Sequence, residues 1–279
     1  MATNYFATRI RILQFGATIN DKLKIALSAV TYFIGRKINL FPITFSNWII
    51  QHTKIKLGNN IIRIPEVALL GTYFNSEKGT QKYFTPEKGD VVIDVGANIG
   101  FFTLQSAQAV GTNGFVLAVE ANPLNYEFLQ TNIALNGYGN VEAYQVAAWN
   151  QEVWLDLLLG KNCECHTVKK TFAMAKGRKD RYTQNRIRIK ARVLDNLVKD
   201  LFFEKVDWVK IDVEGAEFEV LQGLKNTLVS FKPRLIVESY ETDRLRSFLE
   251  PLGYEVTRIR ESGSSPPNNF CIFMGSGSS

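Results

Sequence analysis

The chain has little sulfur, little histidine and no long apolar run. Its 279 residues include three cysteines and two histidines. Cys163, Cys165 and Cys271 are too few and too unevenly placed for a disulfide framework, which points to a reducing compartment. Cys163-Glu164-Cys165-His166 has no second ligand cluster at zinc spacing, so no metal is expected. No apolar core followed by a small-residue cleavage site opens the chain, so a cytoplasmic location without a signal peptide is expected. Neither Gly-x-x-x-x-Gly-Lys-[Ser/Thr] nor Gly-x-Gly-x-x-Gly occurs, which removes the usual cradles for a nucleotide's phosphates.

What is present is charge in blocks. Residues 1 to 57 carry eight Lys/Arg against Asp21 alone, giving +7, and residues 160 to 186 carry +6, so the remainder of this +6 chain is acidic at −7. Two basic segments on an acidic body suggest local contact with something anionic, or solvated surface, and not general nucleic-acid binding.

The most informative stretch is Val91-Val-Ile-Asp-Val-Gly-Ala-Asn-Ile-Gly100. Apolar residues interrupted by one carboxylate, with glycines just beyond, read as a buried parallel strand that turns sharply into a helix. Ligands of open α/β sheets bind beyond the carboxyl ends of such strands, so Asp94, Gly96, Asn98 and Gly100 are candidate binding residues. Phe115-Val-Leu-Ala-Val-Glu120 is a second such strand, and its terminal acid stands roughly 20 residues after the loop, as needed to accept hydrogen bonds from two ribose hydroxyls. Asn122-Pro123 then opens a helix that ends before Gly137. A nucleoside without a phosphate cradle points to S-adenosylmethionine, with Asp94 and its loop at the methionine end and Glu120 at the ribose.

The rest of the sheet follows. Val141 to Val146 is a third strand whose small terminal residues, beginning with Ala147, are expected to border the adenine, with Trp149 as core or stacking partner. Val206 to Asp212 is the fourth, so Asp212 projects at its tip beside Gly96, with Glu214 and Glu217 in the following turn. Three carboxylates this close are costly unless they meet cations, hydroxyls or backbone donors, although Glu217 also suits the start of a helix. Pro233 to Tyr240 is the fifth strand, with Glu238 at the same edge, and Tyr254–Ile259 with Phe270–Phe273 form a closing pair. Asp212, Glu238 and Glu214 are the candidate catalytic residues, placed to hold or deprotonate an acceptor, with His166 as another candidate base; Asp212 and Asn122 are also candidate cofactor-binding residues. His52 reads as an ordinary surface or packing residue. Between the third and fourth strands, residues 150–206 form an insertion whose basic stretch, 160–185, has few apolar anchors and reads as a lid or substrate-reading loop.

At the other end, residues 4–48 carry an amphipathic helical pattern, with Asp21 as a plausible N-cap. The uncharged run Ile25–Ile34 is ten residues, too short to cross a bilayer. Residues 1–57 can lie in a membrane interface, pack on the catalytic domain or make a homodimer contact. A hairpin is expected over 53–64, around Gly58-Asn-Asn60.

Val92-Ile-Asp-Val-Gly-Ala-Asn-Ile-Gly-Phe-Phe-Thr-Leu104, Val119-Glu-Ala-Asn-Pro123 and, most specifically, Val209-Lys-Ile-Asp-Val-Glu-Gly-Ala-Glu217 together resemble the FkbM family of S-adenosylmethionine-dependent methyltransferases. The resemblance covers about Gly89 to Phe273 and not the first fifty or so residues. It implies a Rossmann-like class I methyltransferase fold in the α/β class. This is a seven-stranded sheet of order 3-2-1-4-5-7-6 with helices on both faces, here preceded by an N-terminal helical extension. It further implies O-methylation of a small molecule or glycan acceptor, as in polyketide or surface-polysaccharide biosynthesis. The expected organisation is an extension over 1–52, a hairpin and lead-in over 53–88, the catalytic domain over 89–274 and a linker-like tail over 275–279. A nicotinamide oxidoreductase or a non-catalytic nucleoside-binding module would share much of this pattern.

Overall fold

The computed structural model describes residues 15–38, 43–70, 80–163, 165–175, 178–259 and 267–275. Two compact units emerge, one of residues 1–76 with 127–137 and one of residues 77–126 with 138–279. Expectations for residues 1–14, Glu164, Lys176 and the tail beyond Gly275 lie outside the described residues.

In the first unit, helix α1 spans Ile19–Ile38 and α2 spans Ile43–Gln51. Asp21, expected as the N-cap, is instead the third residue of α1, and Thr18 takes the cap. Thr18 Oγ1 accepts from the Asp21 amide at 3.1 Å while Asp21 Oδ2 accepts from the Thr18 amide at 3.2 Å. This is the reciprocal pairing of a capping box, with Asp in the position usually held by Glu. The hairpin is present as β1, Ile55–Leu57, and β2, Asn60–Ile62, paired antiparallel around Gly58, whose φ is 60°.

In the second unit, a short helix α3, Thr80–Tyr83, precedes β3, Val91–Val95, which leads into α4, Phe101–Val110. Strand β4, Phe115–Glu120, is followed by α5, Pro123–Asn136, which from Glu127 onward belongs to the first unit, and then by β5, Val141–Gln145. Beyond the insertion come β9, Trp208–Ile211, and β10, Arg234–Glu238; the insertion supplies β6, Ala147–Trp149, β7, Trp154–Gly160, helix α6, Lys170–Ala173, β8, Tyr182–Val193, and helix α7, Leu194–Asp200. Helices α8, Glu217–Gly223, and α9, Lys225–Phe231, link β9 to β10, and α10, Thr242–Leu249, leads to β11, Tyr254–Arg258, and β12, Asn268–Phe273. The seven-stranded sheet runs β5-β4-β3-β9-β10-β12-β11. Strands β5 to β10 are parallel and β12 pairs antiparallel with both β10 and β11. This is the expected 3-2-1-4-5-7-6 order. The central strands are buried on both faces, and Ile93, Leu117, Val209 and Leu235 form one core with Leu221 and Leu228.

Two local expectations change. Ala147–Trp149 does not extend the third strand at the sheet edge; it turns away and pairs with β8 in a separate three-stranded sheet, β6-β8-β7. Residues 160–185, expected as a poorly anchored loop, are anchored. Cys165, Ala173 and Tyr182 are buried with Leu158, and Leu158 and Thr167 exchange backbone hydrogen bonds. Short, separated apolar residues hold this segment, so no periodicity announces them.

In the first unit the edge of β2 is satisfied by side chains. Asn136 accepts from the Ile61 amide at 2.8 Å and donates to its carbonyl at 2.7 Å; Asn132 does the same for Arg63 at 2.7 and 3.0 Å. Two asparagines one helical turn apart thus stand in for a neighbouring strand. Replacing Asn132, which is fully buried, by Leu should destabilise the chain by roughly 1–3 kcal/mol, because it strands both the amide and the carbonyl of Arg63. Thermal unfolding of the variant, compared with wild type, measures this.

The turn after β3 makes a second demand. Gly96 has φ 77°, and a Cβ there would lie 1.8 Å from the Asp212 carbonyl oxygen. The close approach expected of this glycine is therefore to the chain's own backbone at the end of β9. Gly96→Ala should prevent stable folding of the second unit. Gly111→Ala, at φ 65° with nothing within 4 Å, should cost only the left-handed strain of about 1–2 kcal/mol. Similar melting temperatures for the two variants would contradict this packing.

Candidate functional site

The carboxyl ends of β3, β4, β9 and β10 gather the acids. Asp94 is buried in β3, with Oδ2 accepting from Thr103 Oγ1 at 2.6 Å, while its Oδ1 takes no hydrogen bond among the described residues. Burial pushes the Asp94 carboxyl up, against the pull of Lys210 and the Thr103 bond. Lys210 lies in β9, 4% exposed, with Nζ 3.3 Å from Asp212 Oδ2 and 4.6 Å from the centroid of the Phe102 ring. It is a site residue that motif spacing did not single out, although a lysine inside the apolar run Val209-Lys-Ile211 is a visible anomaly for a buried strand.

Glu120 ends β4 and is buried. Its Oε2 accepts from the Asn98 amide and its Oε1 from the Asn122 amide, both at 2.8 Å. One carboxylate thus fixes the turn after its neighbouring strand and the turn after its own. Burial raises Glu120 to about 7; the two amides oppose this, and the negative charges of Asp94 and Asp212 add to it. Asn98 adopts φ 52°, a left-handed conformation that asparagine tolerates better than most residues, and Gly100 begins α4 at φ 98°. Asn122 caps α5, its Oδ1 accepting from the amides of Leu124 and Asn125 at 2.9 and 3.1 Å. Ala147 is buried in a small cluster against which Ala121 packs, so it stays near the tip of β4 despite leaving the main sheet.

The insertion reaches this turn. The Cys163 carbonyl accepts from Asn98 Nδ2 at 3.2 Å and from Asn125 Nδ2 at 2.8 Å. Cys165 Sγ accepts from the Arg181 guanidinium at 2.7 Å, and Arg181 lies 3.7 Å from Glu214. Cys163, Cys165 and His166 therefore serve packing and backbone anchoring. His166 does not join the carboxylates as a candidate base. Its Nδ1 accepts from the Gly160 amide at 3.0 Å, and burial lowers it to about 4.

A small pocket is lined by Asp212, Glu214, Glu217, Glu238, Ser239, Tyr240 and, from the insertion, Phe172. It brings the three expected acids together and adds Glu217, which a helix-dipole reading leaves outside. Glu217 accepts from the Gly215 amide at 2.7 Å, and burial raises it to about 7, with further repulsion from Asp212 and Glu214. Glu214 stands at φ 50°, an uncommon backbone state for glutamate that turns the chain sharply after β9. Phe172 packs on Gly215 so closely that a Cβ there would lie 2.3 Å from the ring. The Arg178 guanidinium sits over both Phe172 and Tyr240, at 3.9 and 4.3 Å from the ring centroids. His52, in the first unit, accompanies Trp48 and takes no part in this cluster.

Comparison with known proteins agrees with this architecture. The family model of the methyltransferase FkbM domain matches residues 94–256. Methyltransferase sdnD of Sordaria araneosa is 26% identical over 195 residues, covering 61% of this chain and 75% of its own length. Methyltransferase 1 of Beauveria bassiana is 25% identical over 192 residues, covering 63% and 76%. Among solved structures, the methyltransferase FkbM of Methylobacillus flagellatus aligns with a TM-score of 0.49 and 13% identity over 97% of this chain; the chain spans 59% of that protein's length. The family match covers more than half of the chain and includes the strands and acids described above, and the chain belongs to the FkbM family of S-adenosylmethionine-dependent methyltransferases.

Proposed function

We propose that the chain methylates a hydroxyl of a small molecule or glycan. The observation that carries this is the pocket of Asp212, Glu214, Glu217 and Glu238 beside the turns that Glu120 fixes. Four carboxylates favour an acceptor rich in hydroxyl or amino groups and disfavour one that presents phosphates.

The donor fits the residues present. Each Glu120 oxygen accepts one amide and has a lone pair left for a ribose hydroxyl, while the buried Oδ1 of Asp94 offers an acceptor for a donor such as the ammonium of the methionine end. Gly96, Asn98 and Gly100 shape the turn between them, Asn122 orders the start of α5, and Ala147 leaves room beside the tip of β4. S-adenosylmethionine supplies a methyl group on a sulfonium, an electrophile that needs no nucleophilic side chain on the protein. The chain's own tasks are then to orient the acceptor and to take up its proton. Asp212, Glu238 and Glu214 line the pocket where an acceptor hydroxyl would be held, and we assign them those tasks. Tyr240 and Phe172 wall off one side, and the carbonyl of Cys163 ties the insertion to the cofactor turn.

Glu120→Gln should weaken S-adenosylmethionine binding at least ten-fold, measured by calorimetry, because an amide offers one acceptor oxygen where the carboxylate offers two. The pH dependence follows from its raised value of about 7. The protonated acid is favoured before the donor binds, and ribose hydroxyls favour the carboxylate, so wild-type affinity should rise as pH passes upward through about 7, with release of a proton. The Gln variant should lose that proton release. Unchanged affinity in the variant would remove Glu120 from the site.

Asp212→Asn and Glu238→Gln should lower single-turnover methyl transfer to the acceptor by at least ten-fold while donor affinity falls less. Labelled donor incubated with hydroxylated and phosphorylated candidate acceptors, followed by mass spectrometry, tests the acceptor class. Methylation of a phosphorylated acceptor alone would overturn the reading.

A further inference from the structure

Helix α1 leaves a large apolar stripe uncovered. Its covered side mixes one large apolar residue, Ile25 at 0% exposed, with polar ones: Asp21, Ser28 and Thr31 are 6%, 0% and 5% exposed. Ser28 and Thr31 hydroxyls donate to carbonyls of their own helix, and Ser46 of α2, fully buried, donates to Thr31 Oγ1 at 2.9 Å. Four other large apolar side chains face outward. Ile19, Leu23, Leu27 and Val30 are 79%, 64%, 51% and 55% exposed, at spacings of four, four and three that place them in one stripe. Helix α2 adds exposed Ile43, Phe45 and Trp48. A water-facing helix covers such a stripe, and hydroxyl contacts between helices are compatible with apolar surroundings.

The charge around this stripe has one sign. Among the residues whose side chains are described between 15 and 57, the cations are Lys22, Lys24, Lys54 and Lys56. The one acid, Asp21, is engaged by Thr18 and by the Lys54 amide. No helix among the described residues is long and apolar enough to cross a membrane.

We propose that α1 and α2 dock onto the surface of a membrane bearing anionic headgroups, with Ile19, Leu23, Leu27 and Val30 entering the interface and Lys22 and Lys24 at headgroup level. An apolar stripe flanked by cations is the composition that such an interface binds. A second copy of the same face is disfavoured, because pairing it would bring like charges together. The inference is independent of the acceptor assignment, since none of these residues belongs to the methyl-transfer pocket.

Flotation of the full chain with phosphatidylcholine vesicles, with and without about 30% phosphatidylserine, tests it. The chain should float with the anionic vesicles, less so at raised salt, and Leu23→Glu/Leu27→Glu should reduce flotation at least ten-fold with S-adenosylmethionine affinity and melting temperature unchanged. Both substituted positions are more than half exposed, so the fold tolerates the change. Absence of wild-type flotation overturns the proposal, as does equal flotation of the double variant. So does a wild-type dimer in sedimentation that the double variant abolishes, which would identify the occupant as a second copy.

Discussion

A lysine buried in the middle of a parallel sheet governs the acidic edge of this protein. Lys210 is 4% exposed, pairs with Asp212 and pulls on the carboxyl of Asp94. Without a cation between them, two aspartates at the tips of adjacent strands would compete for protons in a medium that disfavours either charge. The face of Phe102 supplies further negative potential on the other side of the ammonium. Because β3 and β9 are neighbours in parallel register, Asp94 stands opposite Lys210, and the arrangement is a direct product of sheet order. For Glu120 and Glu217 burial is the dominant influence, and both rise to about 7.

Much of the framework was legible because buried parallel strands leave an unmistakable pattern. Val91–Val95, Phe115–Glu120, Trp208–Ile211 and Arg234–Glu238 are short apolar runs with an acid in or beside them, and each lies where its run predicts. Acids at strand tips must converge in an open sheet, so Asp212, Glu214 and Glu238 could be grouped before any coordinates. Other features have no one-dimensional signature. Ala147–Trp149 continues an apolar pattern but changes sheet, since periodicity says which face a residue takes and not which partner it finds. The segment around Cys165 is held by single contacts such as the Arg181 guanidinium on sulfur, which composition reads as polar loop. His166 drew interest as a titratable group, yet burial and the Gly160 amide fix it as a neutral acceptor. Asn132 and Asn136 look like helix surface until β2 is found beside them.

In the first unit, sequence periodicity alone does not say which face of α1 is covered. A moment has a direction relative to the helix but none relative to the protein. The amphipathic pattern of α1 was readable, whereas the fact that Ser28 and Thr31 join Ile25 on the covered side required coordinates. Small hydroxyl-bearing residues could do so because each satisfies its own hydroxyl within the helix pair.

The hold that the insertion has on the turn after β3 passes through the carbonyl of Cys163, shared by Asn98 and Asn125. A main-chain oxygen is supplied by whichever amino acid stands at that place. A change at position 163 to another small side chain that fits the same buried space therefore keeps the tie, whereas a change at either asparagine loses it.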